Sequence, residues 1–112
     1  MNIFNLFTPK SNNKINDEKL KEMLESSTPP ILFDVRTPEE YSTGHIPKSK
    51  NVPVQNFENS IKKMNLKTDS PIVVYCQSGM RSSKAYGILH QLGFKEVYNL
   101  GGIGNWHYDL KR

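Results

Sequence analysis

The stretch Ile72-Val73-Val74-Tyr75-Cys76-Gln77-Ser78-Gly79-Met80 constrains this chain more than any other. Its first part is β-branched and apolar without alternation, which predicts a strand buried on both faces. Gln77 to Met80 then reads as a tight loop, and Gly79 permits the positive φ that such a turn needs. Ala85, Ile88, Leu89 and Leu92 recur at helical spacing, predicting a helix over about residues 82–91 that Gly93 closes. A strand that feeds a helix through so short a loop is half of a parallel α/β unit. Sheets of that kind carry their sites at the carboxyl ends of strands, beside helix N-termini. Cys76 stands at such an end.

Further strands and helices alternate along the chain. Ile15 sits in a very short strand, and Asn16 or Asp17 caps a helix bearing Leu20, Met23 and Leu24. After the breaker cluster Ser26-Ser27-Thr28-Pro29-Pro30, the run Ile31-Leu32-Phe33-Asp34-Val35 predicts a second buried strand. Thr37 followed by Pro38 marks a capped helical turn. Gly44-His45-Ile46-Pro47 is a loop, Asn51-Val52-Pro53 a brief extended piece, and Phe57, Ile61 and Met64 place a helix over 55–64. Val97-Tyr98-Asn99-Leu100 is a last strand, from which Gly101-Gly102 turn into a short helix containing Trp106. Residues 1–13 form an irregular lead-in, and 14–112 a single domain, as the length of 112 residues allows.

Composition narrows the chemistry. The net charge of +4 comes from scattered lysines without a basic, aromatic-interleaved stripe, so nucleic acid is not an expected partner. One cysteine allows neither an internal disulfide nor a cysteine-rich zinc site, and a lone thiol fits a reducing, cytoplasmic compartment. No metal or cofactor is called for. The terminus lacks a secretory signal pattern and nothing approaches a membrane span, so no stable insertion is expected, although Phe4, Leu6 and Phe7 can touch a membrane surface. A monomer is the simplest expectation.

The amides of Gln77, Ser78, Gly79, Met80, Arg81 and Ser82 can curl around Cys76, and the following helix aims its positive end at the same point. Arg81 adds charge. All three favour a thiolate and predict a lowered pKa for Cys76. Arg36 and Asp34 lie on the same sheet edge. Arg36 can attract an anionic donor or pair with Asp34. Asp34 supports the neighbouring loop by accepting N–H bonds. His45 invites a base role, yet packing and hydrogen bonding suit it better. His90 and His107 carry no functional signal, and Trp106 reads as core. Gly101 and Gly102 read as places of close chain approach, not as a dinucleotide fingerprint.

In order and spacing, four segments resemble the single-domain rhodaneses, the rhodanese-like sulfurtransferases. They are Phe33-Asp34-Val35-Arg36 with Pro38-Glu39-Glu40-Tyr41; Gly44-His45-Ile46-Pro47 with Asn51-Val52-Pro53; Val73 to Ser82; and Asn99-Leu100-Gly101-Gly102 with Trp106. The resemblance implies a three-layer α/β sandwich around a central five-stranded parallel sheet flanked by helices. It implies that Cys76 accepts sulfane sulfur from a small anionic donor, thiosulfate or a persulfide, and passes it to cyanide, a thiol or a protein acceptor. Phosphatases and arsenate reductases of similar build need one residue more between cysteine and arginine than the four found here. A domain resembling this family can also serve as a non-catalytic protein-binding module, or as a redox sensor if its cysteine is exposed. Where the family commonly places Gly after Ile-Pro, this chain has Lys48, which takes a positive φ less cheaply.

Overall fold

The apolar runs of the sequence become parallel strands. The computed structural model describes residues 13–112. In chain order the elements are α1 (Asp17–Leu24), β1 (Ile31–Asp34), α2 (Pro38–Thr43), β2 (Lys50–Asn51), α3 (Phe57–Met64), β3 (Ile72–Cys76), α4 (Met80–Gln91) and β4 (Val97–Gly102), with 3-10 turns at Val54–Asn56 and Ile103–Asn105. The sheet runs β2-β1-β3-β4 with every pairing parallel. Among the described residues it therefore has four strands where five were expected. What is left of the fifth is one parallel bridge, Lys14 with Asn99, and the bond from the Ile15 amide to the Asn99 carbonyl at 3.2 Å. Asn16 already caps α1, its side chain accepting from the Lys19 amide, so the chain turns away before pairing can propagate. The lead-in, with Phe4, Leu6 and Phe7, lies outside the described residues.

Alternation along the central strands splits the core into two layers. Phe33, Val74 and Cys76 face Phe57, Ile61, Ala85 and Leu89 of α3 and α4. Leu32, Val73 and Tyr75 face Leu20, Leu24, Ile46 and Trp106 on the other side. All of β3 is buried, as its unbroken apolar run predicts. Trp106 belongs to this second layer but not to a helix. The 3-10 turn ends before it, and its backbone is extended, while its indole N–H donates to the Asp109 carbonyl at 3.0 Å. No helix among the described residues is long and apolar enough to cross a membrane.

β3 and β4 pair in register from Ile72–Val97 to Val74–Asn99, then slip by one residue, so that Gly101 faces Tyr75 and Gly102 faces Cys76. The extra residue, Leu100, is a bulge, and it sets two glycines beside the cysteine. Lys48 adopts the left-handed conformation at φ 73° despite its side chain.

Candidate functional site

β3 carries Cys76 to the carboxyl edge of the sheet, and the chain then curls through a short loop into α4. Gly79 is the residue that makes the curl possible. Its φ of 106° is open to glycine, and it serves as the N-cap of α4. The helix therefore begins at Met80, earlier than apolar spacing alone places it. Gly79 donates its N–H to Cys76 Sγ at 2.9 Å. The thiol in turn donates to Ser82 Oγ at 3.5 Å, and that hydroxyl donates to the Gly79 carbonyl at 3.1 Å. On loss of the thiol proton, Ser82 can turn its own proton toward sulfur. Burial raises the Cys76 pKa. The Ser82 hydroxyl and the amides of Ser82, Gly79 and Ser78 outweigh it and hold the thiol below its ordinary value.

Cys76 itself is 0% exposed, which corrects the exposed cysteine that redox sensing calls for. Gln77, Ser78 and Met80 form the accessible rim, with Met80 81% exposed. The two arginines expected near the site, Arg36 and Arg81, are both paired within the protein. Arg81 makes a bidentate pair with Glu40, Nη1 to Oε1 at 2.8 Å and Nη2 to Oε2 at 3.0 Å. Glu40 also closes the capping box of α2, accepting from the Thr37 amide at 2.9 Å. With the Arg81 bond as the largest cause, and against the effect of burial, its carboxyl is held down at about 2.

Arg36 is 2% exposed and pairs with the fully buried Asp34, Nη2 to Oδ2 at 2.7 Å. It also donates to the Gly44 carbonyl at 2.7 Å and to Gln77 Oε1 at 3.1 Å. Of the two roles open to Arg36, attracting an anion or pairing with Asp34, the structure contains the pairing, and the guanidinium bonds inward to Asp34, Gly44 and Gln77. Asp34 accepts the Arg36 amide at 2.9 Å, the loop-supporting bond that its position suggests. His45 stacks on Tyr41 at 3.7 Å, with its Nδ1 2.9 Å from the Tyr41 carbonyl, and pairs by its backbone with Lys111. Among the described residues, it makes no hydrogen bond to the cysteine loop, and no group of acidic, His and Cys side chains is placed to hold a metal.

Residues 16–109 match the family described as Rhodanese-like domain. The chain belongs to that family. A protein named Sulfurtransferase from Allochromatium vinosum is 37% identical over 95 residues, covering 84% of this chain and 87% of its own length. A tRNA uridine(34) hydroxylase of Pelagibacter ubique is 38% identical over 105 residues, 92% of this chain. The human single-domain sulfurtransferase TSTD1 superposes with a TM-score of 0.74 at 27% identity, covering 84% of this chain and 94% of that one. The chain spans 35% of the length of that hydroxylase, and 63% of a further matched relative from Bacillus subtilis.

Two features of this rhodanese-like domain's site are not evident from sequence. Glu40 as the partner of Arg81 is one, although Thr37-Pro38-Glu39-Glu40 carries the visible spacing of a capping box. The second is which segment meets Gly102, since close chain approach at this glycine is itself the expected reading and is what the structure shows. The Gly102 φ of −84° is open to any residue, so the requirement is purely steric. A Cβ there would stand 2.7 Å from the Gln77 carbonyl oxygen and 3.3 Å from Ser78 Cα. Gly102→Ala is expected to push the loop off β4. The overpacking costs about 1–3 kcal/mol, read as a lower denaturant midpoint. It comes with a loss in Cys76 reactivity larger than that fall in stability explains. An unchanged alkylation rate of Cys76 would show that the loop does not rest on this glycine.

Proposed function

We propose that this domain is a sulfur carrier: Cys76 takes sulfane sulfur from thiosulfate or another persulfide donor and hands it, as a persulfide, to cyanide or a thiol. The bond from the Gly79 amide to Sγ at 2.9 Å, at the N-terminus of α4, carries the reading. The Cys76 thiolate attacks the sulfane sulfur. A new S–S bond forms, the donor's bond to that sulfur breaks, and its electron pair leaves on sulfite or on a thiolate. An acceptor nucleophile then attacks the outer sulfur, and the pair of the broken bond returns to Cys76. No separate base is required, because the attacking group is already favoured as an anion. The amides from Gln77 to Ser82 serve the thiolate and the persulfide alike, since both carry negative charge where the donors converge.

The names of the matched relatives include sulfurtransferase and support this reading. The hydroxylase relatives contain the matching segment within much longer chains, so their tRNA chemistry is not assigned to this domain. Incubation with thiosulfate and with a small-molecule persulfide, followed by intact mass spectrometry, is expected to show a gain of one sulfur atom. Peptide mapping should place it on Cys76, and cyanide should remove it. No adduct from either donor would overturn the proposal.

A further inference from the structure

We infer that the segment from Trp106 to Lys111 is a strap that positions the cysteine loop, with Leu110 and Lys111 acting on Cys76 through Gly44, Arg36 and Gln77. The inference rests on the sulfur-carrier reading and goes beyond it, giving a remote segment a part in how ready the thiol is. Every link is a short contact. The Lys111 amide donates to the His45 carbonyl and the His45 amide to the Lys111 carbonyl, both at 2.8 Å, which closes an antiparallel bridge. The Leu110 side chain lies over Gly44, where an added Cβ would meet Leu110 Cδ1 at 3.3 Å. The Gly44 carbonyl accepts from Arg36 Nη2 at 2.7 Å, and Arg36 Nη1 donates to Gln77 Oε1 at 3.1 Å. Gln77 directly follows Cys76.

The placement of the strap argues for a role other than filling the core. Trp106 is its inner fastening, buried in the second core layer. From His107 onward every residue is exposed. Between Trp106 and the bridge to His45, the strap walls an open cavity of about 450 Å³ shared with Lys21, Leu24, Pro47 and Lys48. Little apolar burial is therefore at stake at Lys111, yet the loop it fastens serves a buried charge. Asp34 takes the Nε and Nη2 edge of Arg36 and leaves Nη1 turned to Gln77. The Gly44 carbonyl is a second acceptor for Nη2, so it helps to set the plane of the guanidinium. The fork is rigid, and a tilt at Nη2 carries Nη1 away from Gln77. A released Gln77 no longer fixes the start of the loop, whose Ser78 and Gly79 amides serve Sγ.

The test reads the pH profile of Cys76 alkylation by iodoacetamide, and sulfur loading from thiosulfate. The variants are Lys111→Pro and Leu110→Gly, each alone and combined with Gln77→Ala, in the full chain. Lys111→Pro removes the N–H that His45 accepts. Leu110→Gly uncovers Gly44 and leaves both bridge bonds available, so it remains informative if the proline perturbs more than the bridge. Rates are taken where the denaturant curve of each variant shows it folded, so lost stability alone does not change them. Lys111→Pro is expected to slow alkylation at neutral pH about fivefold, within the range that one hydrogen bond contributes. Its pH profile should move upward, with loading falling in step, and Leu110→Gly should do the same to a smaller degree. Gln77→Ala alone should match Lys111→Pro, and adding either strap change to it should have no further effect, because the link is already cut. Profiles that neither strap variant moves, or a fall that persists in full with Gln77→Ala, would overturn the inference. A parent that gains no sulfur would instead overturn sulfur carriage, and the alkylation profiles would still decide whether the strap acts on Cys76.

Discussion

Cys76→Ser is expected to fold like the parent and to lose sulfur loading by on the order of 10³ or more, since the proposed chemistry has no other nucleophile. The substitution is nearly isosteric. A serine hydroxyl can still accept the Gly79 N–H and donate to Ser82, so the loop keeps its bonds. What it cannot do is ionise near neutral pH, and the amides that favour a thiolate cannot bring an alcohol into that range. In the parent, alkylation of Cys76 by a small haloacetamide should rise with pH and reach half its plateau below the ordinary thiol value of ~8.5. The depressed value has a stability counterpart. Between the native pKa and the ordinary one, the native state holds fewer protons than the unfolded chain, so stability climbs with pH across that interval. The increment is full above the ordinary value and is lost as pH falls through the native one. Cys76→Ser should abolish it, and denaturant midpoints on either side of the interval read the difference. A serine variant that still gained sulfur would move the chemistry away from this loop.

How much of this could be read from the residues depended on whether a feature is local. The strand-loop-helix around Cys76 was legible, because an unbroken β-branched run, a glycine and a helical period each act within a few residues. A cap at Asn16 or Asp17 was legible for the same reason, and Asn16 is the one that provides it. Less so were features that depend on distant parts of the chain. Ile15 looked like a strand, yet strand length is set by what it pairs with, and among the described residues a single bridge, Lys14 with Asn99, forms before α1 begins. The start of α4 moved to Met80 because backbone geometry at Gly79, not apolar spacing, decides where the first turn begins. Arg36 and Arg81 invited the same role on composition. Whether a cation is free or paired depends on carboxylates placed by the fold, and Glu40 lies 41 residues from Arg81. Lys48 shows a local penalty overridden. Its φ of 73° is unfavourable for a lysine, but the turn it occupies is fastened to the core beside it, where the Ile46 amide donates to the buried Tyr75 hydroxyl at 3.0 Å.

Asp34→Ala is the substitution with the largest expected effect on stability, about 3–5 kcal/mol, because it strands a buried guanidinium without its counter-charge. Set against the ~5–15 kcal/mol by which ordinary domains are stable, that takes a large share of the whole. The carboxylate accepts from Arg36 Nε and Nη2 and from the Arg36 amide, so the backbone at the end of β1 loses an anchor as well. A second variant separates holding the fold from holding the site. In Asp34→Leu with Arg36→Met, neither charge remains to be desolvated, and replacing both members of a buried pair with apolar side chains is often neutral or stabilising. Most of the lost stability should return, read as the denaturant midpoint. Sulfur loading should not return with it. Arg36 reaches across the sheet edge to Gln77 Oε1 and to the Gly44 carbonyl, and a methionine offers neither oxygen a proton. The first residue of the cysteine loop would then be free to shift while the core below it stays packed. If the double variant loaded sulfur at the parental rate, Arg36 would be shown to serve the core alone, and the loop would have to be held by Gly102 and the α4 cap without it.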